Sequence, residues 1–139
     1  MLHYRPIVIM LCFFCNGITS AETGKIPDIK NIISGKTLYE KYCLTCHKQN
    51  GTGEPEVPES IRLPGYITAM PLNETSHAWH HSDEQLANTI LNGLKRTKRM
   101  PAFNSLISDK DADDLVAYIK SLWSPRIIAC QGPKHMSCM

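Results

Sequence analysis

The sequence predicts an all-α protein, with a few helices joined by long loops. Two segments open on capping boxes and continue with apolar residues at helical spacing, and an earlier segment shows the same spacing. No segment alternates apolar and polar residues as a half-buried strand would. With 139 residues, the chain is long enough for one domain.

The N-terminus has the pattern of a secretory signal peptide, and we expect residues 1–21 to be removed on export. Arg5 supplies a positive charge, Ile7–Cys15 form an apolar run too short to span a bilayer, and small residues follow up to Ala21. No second long apolar run follows, so we expect a periplasmic protein without a membrane span. An uncleaved N-terminal anchor is the alternative interpretation.

The remaining chain is predicted to have three parts. Residues 22–33 form a polar lead-in, residues 34–124 form the domain, and residues 125–139 form a C-terminal tail. The formal net charge of +2 argues against general binding to nucleic acid.

The first helix is predicted over residues 34–46. Leu38 and Tyr42 lie at i, i+4 spacing, and so do Tyr39 and Cys43. A long loop rich in glycine and proline follows. A loop of this length in a small domain usually serves a function or wraps a ligand.

The second helix is predicted to begin after Ser82, with Gln85 completing a capping box, and to end near Gly93 and the charged run after it. Its apolar face comprises Leu86, Ile90 and Leu94. The third helix is predicted to begin after Ser108, with Asp111 as its capping partner, and to end before Pro125. Its apolar stripe comprises Ala112, Leu115, Ile119 and Leu122.

The unbroken Cys-x-x-Cys-His formed by Cys43, Cys46 and His47 is typical of covalent haem attachment. Two thiols can bond to the two vinyl groups of a haem while the histidine binds the iron. A zinc site would usually need a second closely spaced pair of ligands, and Cys130 and Cys138 are too far apart for that pattern, although they could still reach such a site. A redox disulfide of the thioredoxin type would follow a strand, and none is predicted. One covalent haem c is therefore the expected cofactor.

A haem bound by one histidine needs a second axial ligand, and methionine is a common one. Met70 and Met100 both precede a proline. Met100 lies between the second and third helices, far enough along the chain to reach the opposite face of the haem. Met70 lies on the same loop as the attachment motif. We predict Met100 as the ligand, with core packing as the alternative role of either methionine.

The chain resembles the small bacterial class I cytochromes c, which carry a single haem. Gly35 and Tyr39 stand before the attachment motif as a Gly-x-x-x-aromatic pair, and Leu115 and Tyr118 stand in the last helix at the matching spacing. The resemblance covers about residues 34–123. It implies a cytochrome c fold in which the first and last helices cross at these residues.

The same resemblance extends to the site. The segment "MPAF", which begins at Met100, is similar to the methionine-ligand loop of that family, and Gly51 and Gly53 are similar to the glycines that follow the attachment motif. The family implies His47 and Met100 as the axial ligands of the iron. It also implies electron transfer, rather than catalysis, as the activity.

A histidine cluster precedes the second helix. His77, His80 and His81 have a spacing that could bind copper or zinc, or supply a rival axial ligand. The favoured alternative is a loop whose histidines form hydrogen bonds, with Trp79 as a packing residue.

A basic run precedes Met100. Lys95, Arg96, Lys98 and Arg99 are predicted to form a docking rim for an acidic redox partner, because charges near a haem edge steer association. The alternative is a solvated loop.

Cys130 and Cys138 lie in the tail and are expected to form a disulfide, because export places them in an oxidising compartment. The alternatives are two free thiols, or metal capture together with His135 and Met136.

The favoured function is a periplasmic protein that carries single electrons between redox partner proteins on one His/Met-ligated haem c. The alternatives are a haem-containing electron-entry subunit, a peroxidase-like enzyme, and a metal-handling or sensor protein that uses the histidine cluster.

Overall fold

The computed structural model describes residues 23–138, and the regular elements of this part of the chain are all helical. The α-helices are α1 (Ile29–Tyr42), α2 (Leu44–His47), α3 (Asp83–Asn92), α4 (Asp109–Ser121) and α5 (Pro125–Ala129). Short 3₁₀ helices lie at Gln49–Gly51, Glu59–Ile61, Ala78–His80 and Gly132–Ser137. The predicted all-α class is confirmed. The predicted signal peptide lies outside the described residues.

The crossing of α1 and α4 is the centre of the fold. Gly35 lies at the contact, where a Cβ atom would overlap the backbone carbonyl of Asp114. The rings of Tyr39 and Tyr118 lie 4.9 Å apart between centroids, and Leu115 is buried beside them. The crossing implied by the resemblance is confirmed at the residues that suggested it.

The helices α3 and α4 begin where the sequence predicts. Ser82 and Gln85 form a complete capping box at the start of α3, and Ser108 and Asp111 do the same for α4. Each box satisfies backbone N–H groups that the first turn of a helix leaves without partners. Gly93 caps the C-terminus of α3 with a positive φ of 69°.

The first helix differs from its prediction at both ends. It begins at Ile29 rather than near residue 34, because the side chain of Asp28 accepts a hydrogen bond from the Lys30 N–H and caps the helix. Ile29 and Ile33 are largely exposed, so the first turns have no buried stripe that periodicity could detect. The helix ends at Tyr42, and the short α2 follows it.

The C-terminal tail packs against the core. Ile128 of α5 is buried in the main apolar cluster. The buried Gln131 side chain donates a hydrogen bond to Asp83, which also accepts one from the buried Lys120 at 2.7 Å. Cys130 and Cys138 are joined by a disulfide, as expected, with their Cα atoms 5.9 Å apart. Metal capture by these two thiols is therefore excluded.

We expect Gly35→Ala to lower the free energy of unfolding by about 1–3 kcal/mol, the usual range for an overpacked contact. At an exposed position within a helix the same change would stabilise by up to about 1 kcal/mol, so the sign of the effect reports the close approach. Urea unfolding followed by far-UV circular dichroism measures it. Ser34→Ala, at an exposed position of α1, is the control. An unchanged or higher midpoint for Gly35→Ala would contradict the crossing.

Candidate functional site

The Cys-x-x-Cys-His motif lies where α1 ends and α2 begins. Cys43 is the residue between the two helices, and its carbonyl accepts hydrogen bonds from the N–H groups of Cys46 and His47. Residues at i, i+3 and i+4 lie on one face of a helical turn. The turn therefore presents both thiols and the imidazole on the same side. Both thiols are free and partly buried.

The pKa of the Cys43 thiol argues against a redox disulfide at this motif. Burial raises the pKa of Cys43 to about 11, and the neighbouring Cys46 adds to the increase. A Cys-x-x-Cys pair that exchanges disulfides relies on a lowered thiol pKa. Residues 23–138 contain no group of three or more His, Cys, Asp or Glu side chains that could hold a metal ion.

His47 is held in one tautomer by the backbone. Its Nδ1 lies 3.0 Å from the carbonyl oxygen of Met70. A carbonyl can only accept a hydrogen bond, so Nδ1 carries the proton and Nε2 keeps its lone pair. Burial lowers the pKa of His47, which favours the neutral ring. The ring is thus prepared to bind a metal through Nε2, and the Met70 carbonyl orients it.

Glycine allows the Met70 segment to approach the motif. Gly53 has a φ of +72°, and a Cβ atom there would lie only 2.6 Å from the Ala69 carbonyl oxygen. The Gly53 N–H donates to the carbonyl of His47 at 2.9 Å. Gly51, also at positive φ, accepts a hydrogen bond at 2.7 Å from the N–H of Leu72. These contacts hold in place the Met70 carbonyl, which accepts the hydrogen bond from His47.

Met100 lies on the loop between α3 and α4, as predicted. Its carbonyl accepts a hydrogen bond from the Leu94 N–H at 3.0 Å, and Phe103 donates its N–H to the Leu91 carbonyl at 3.1 Å. Met100 is half-buried against the main core, and the Phe103 ring meets the ring of Tyr42 edge-on. The backbone of the loop is therefore held at Met100 and at Phe103, by one residue just after α3 and one residue within it.

Met70 is used differently. Its carbonyl accepts the hydrogen bond from Nδ1 of His47, and its sulfur lies 3.9 Å from Nη2 of Arg96. These contacts favour a supporting role for Met70 and leave Met100 as the candidate ligand.

Arg99 does not belong to an exposed basic rim. Its guanidinium forms a two-pronged ion pair with Glu54, with N–O distances of 2.6 and 2.7 Å. Glu54, 45 residues away in sequence, balances the charge of Arg99, whose side chain is only 30% exposed, so Arg99 is less available to an acidic partner than its neighbours in the basic run. Lys95, Arg96 and Lys98 are exposed, as the docking prediction requires.

No sequence pattern pointed to Glu54 or to the Met70 carbonyl. Glu54 lies in no motif, and a backbone acceptor has no side-chain signature. An arginine directly before the predicted ligand was the one local hint that the basic run has a second role.

The histidine cluster surrounds the 3₁₀ helix at Ala78–His80. The His77 ring lies 6.1 Å from that of His80 and 5.7 Å from that of His81, between centroids. No group of three or more His, Cys, Asp or Glu side chains that could hold a metal ion occurs in the part of the chain that the structure describes. Trp79 is partly buried against the main core, which confirms its packing role.

These residues fit a haem c by the chemistry of their donor atoms. Two free thiols and an imidazole with an available Nε2 share one helical face, and a thioether lies on a separate loop attached to α3. Haem iron accepts histidine and methionine in this combination.

No helix within residues 23–138 combines the length and apolar character needed to cross a bilayer.

Comparison with known proteins gives a consistent family. The family model described as cytochrome C oxidase, cbb3-type, subunit III matches residues 30–119. The chain is 27% identical over 99 residues to the cbb3-type cytochrome c oxidase subunit CcoP of Azospirillum sp. (strain B510), covering 71% of this chain and 31% of that protein. It is 29% identical over 90 residues to the same subunit of Azospirillum brasilense, covering 63% of this chain and 27% of that protein.

The chain thus spans about a third of the length of these curated relatives. No solved structure gives a significant match.

We expect the stability contributed by Glu54 to depend on pH. Arg99, together with the Ala69 N–H, lowers the pKa of Glu54 from 4.5 to about 2. Because this pKa is lower in the folded state, the contribution is fully present above pH 4.5 and is lost as the pH falls towards about 2. The difference in unfolding free energy between wild type and Glu54→Gln, from urea titrations, should therefore shrink over that window.

Glu56→Gln removes an exposed carboxylate of the same loop and serves as the control, for which we expect a smaller trend. A Glu54→Gln difference that is constant down to about pH 3 would contradict the ion pair.

Proposed function

We propose that this chain, which belongs to the c-type cytochrome family described as cytochrome c oxidase, cbb3-type, subunit III, carries single electrons on one covalently bound haem c. Cys43 and Cys46 hold the haem, and His47 and Met100 are the axial ligands. The observation that carries the proposal is the helical turn that presents two free thiols beside a histidine whose tautomer the Met70 carbonyl fixes.

The protein's part in this function is to bind the haem, orient its ligands and enclose it. The haem, when bound, supplies an iron that changes its charge by one electron. The Met70 carbonyl orients His47, and the contacts of the Met100 loop with α3 hold the second ligand. With both axial positions occupied by protein, no position on the iron is left for a substrate. This argues for a carrier and against a peroxidase-like enzyme.

The second candidate is electron entry into an oxidase. The relatives are named as subunits of cbb3-type cytochrome c oxidases, and this favours an oxidase as the electron acceptor. We propose that the chain acts in the periplasm, after removal of residues 1–21, as a domain of residues 34–124 followed by its packed tail. Its partners are redox proteins, either freely diffusing or within such a complex.

The proposed ligation is tested on protein produced with the c-type haem maturation system. Mass spectrometry of the acid-denatured protein should give the mature chain plus one haem, and Cys43→Ala with Cys46→Ala should lose it. The oxidised protein should show the weak far-red band that arises from sulfur-to-iron charge transfer. Met100→Ala should abolish this band, while Met70→Leu, the matched control, should retain it.

A band that survives Met100→Ala and disappears in Met70→Leu would reverse the assignment. A chain that releases its haem in acidic acetone would contradict covalent attachment.

The exposed cations beside the ligand loop are proposed to dock an acidic partner. Lys95, Arg96 and Lys98 are exposed and lie within five residues of Met100. Surface charges of this kind raise the association rate, and salt screens them. Lys95→Glu with Lys98→Glu should slow bimolecular reduction by an acidic redox protein at low salt, and the difference should fade as salt is added.

Lys30→Glu with Lys36→Glu makes the same change of charge at exposed positions of α1, far from Met100 in sequence, and should have the smaller effect. Equal slowing by the two double variants would show that net charge, rather than this surface, matters.

A further inference from the structure

We propose that Glu54 and Arg99 are positioning residues for Met100: their ion pair ties the loop that carries Met100 to the loop that supports His47. This inference rests on the proposed function, in which both residues bind one iron. Arg99 directly precedes Met100 in the chain, and Glu54 lies seven residues after His47. The pair therefore joins two segments that local sequence does not connect.

The geometry of the pair limits how far either loop can move. Nη1 of Arg99 donates to Oε2 of Glu54 at 2.6 Å, and Nη2 donates to Oε1 at 2.7 Å. Two parallel charge-assisted hydrogen bonds fix the orientation of the groups as well as their distance. The side chains of Arg99 and Glu54 are only 30% and 17% exposed, so solvent screens the pair less than it would on an open surface.

Arg99 has further contacts on the same side. Its Nη1 also donates to the Ile67 carbonyl at 3.0 Å, and its guanidinium carbon lies 4.5 Å from the centre of the Tyr66 ring. A planar guanidinium that is paired, hydrogen-bonded and stacked has few alternative orientations. The residue before Met100 is thus fixed to the long loop that follows the attachment motif.

Glu54 connects the pair to the support of the histidine. Its Oε2 also accepts a hydrogen bond from the Ala69 N–H at 2.9 Å, and its own N–H donates to the Ala69 carbonyl at 2.8 Å. Ala69 is followed by Met70, whose carbonyl accepts from Nδ1 of His47. One series of contacts therefore runs from the first ligand to the residue beside the second.

This arrangement has a consequence for the iron–sulfur bond. With Met100 as a ligand of the haem iron, an external ligand would compete with its sulfur, and restraint of the residue beside Met100 would oppose the displacement of that sulfur. Backbone hydrogen bonds hold Met100 to Leu94, just after α3, and Phe103 to Leu91, within α3. The ion pair adds a restraint at the residue next to the ligand. Its loss should make opening of the bond more frequent without unfolding the helices.

The test is the rate at which imidazole binds to the oxidised, haem-loaded protein. We expect Glu54→Gln and Arg99→Gln each to raise this rate about tenfold, and the double variant to be no faster than the singles, because one interaction is lost in all three. Arg99→Lys keeps the positive charge but loses the two parallel N–H donors of the guanidinium, so its imidazole-binding rate should lie between those of wild type and Arg99→Gln.

Lys110→Gln is the matched control. It removes an ion pair of equal length, 2.6 Å to Asp114, that lies within α4. Its imidazole rate should equal that of wild type, even where urea unfolding shows a loss of stability. A structural role alone would make Glu54→Gln and Arg99→Gln behave like this control, with a lower unfolding midpoint and an unchanged imidazole rate.

The outcomes separate this inference from the function on which it rests. Wild-type imidazole rates in both single variants would overturn the positioning role, and so would a fast Arg99→Gln beside a normal Glu54→Gln, since Arg99 would then act through another group. If Met100→Ala keeps the far-red band, the proposed ligation itself is wrong.

Discussion

The hydrogen bond from Nδ1 of His47 to the Met70 carbonyl is the constraint on which the rest of the site depends. It decides which ring nitrogen is available to a metal, and it requires the Met70 segment to lie against the attachment motif. Gly53 leaves room for that approach. On the far side, the Trp123 indole donates to the Leu72 carbonyl at 2.8 Å and holds the segment there. Contacts spread over the long loop therefore hold the carbonyl that favours one tautomer of His47.

The helices provide the frame that keeps these contacts in register. The close approach at Gly35 fixes α1 on α4, so the end of α1, with Cys43, and the residue Trp123 just after α4 are both placed by the same pair of helices. The loop of Met100 is attached to α3 in turn. Rigid helices that position functional loops are a common division of roles in small domains. A bound haem would lie among segments that these helices position.

Sequence reasoning succeeded where the information is local. The capping boxes at Ser82 and Ser108 use residues three positions apart, and the attachment motif is continuous. It failed where the decisive partner is distant. Arg99 looked like one more surface cation, because nothing near it in sequence reveals its pairing with Glu54. The early start of α1 was missed because Asp28 caps turns whose apolar residues remain exposed.

Proton NMR of the reduced, haem-loaded protein can show whether His47 of α2 and Met100 of the loop between α3 and α4 bind the same iron. The ring current of the macrocycle shifts the side-chain protons of a bound methionine far upfield, and sequential assignment identifies the residue. We expect one such set of signals, belonging to Met100, together with a slowly exchanging Nδ1 proton on His47. Upfield signals from Met70, or none from any methionine, would contradict it.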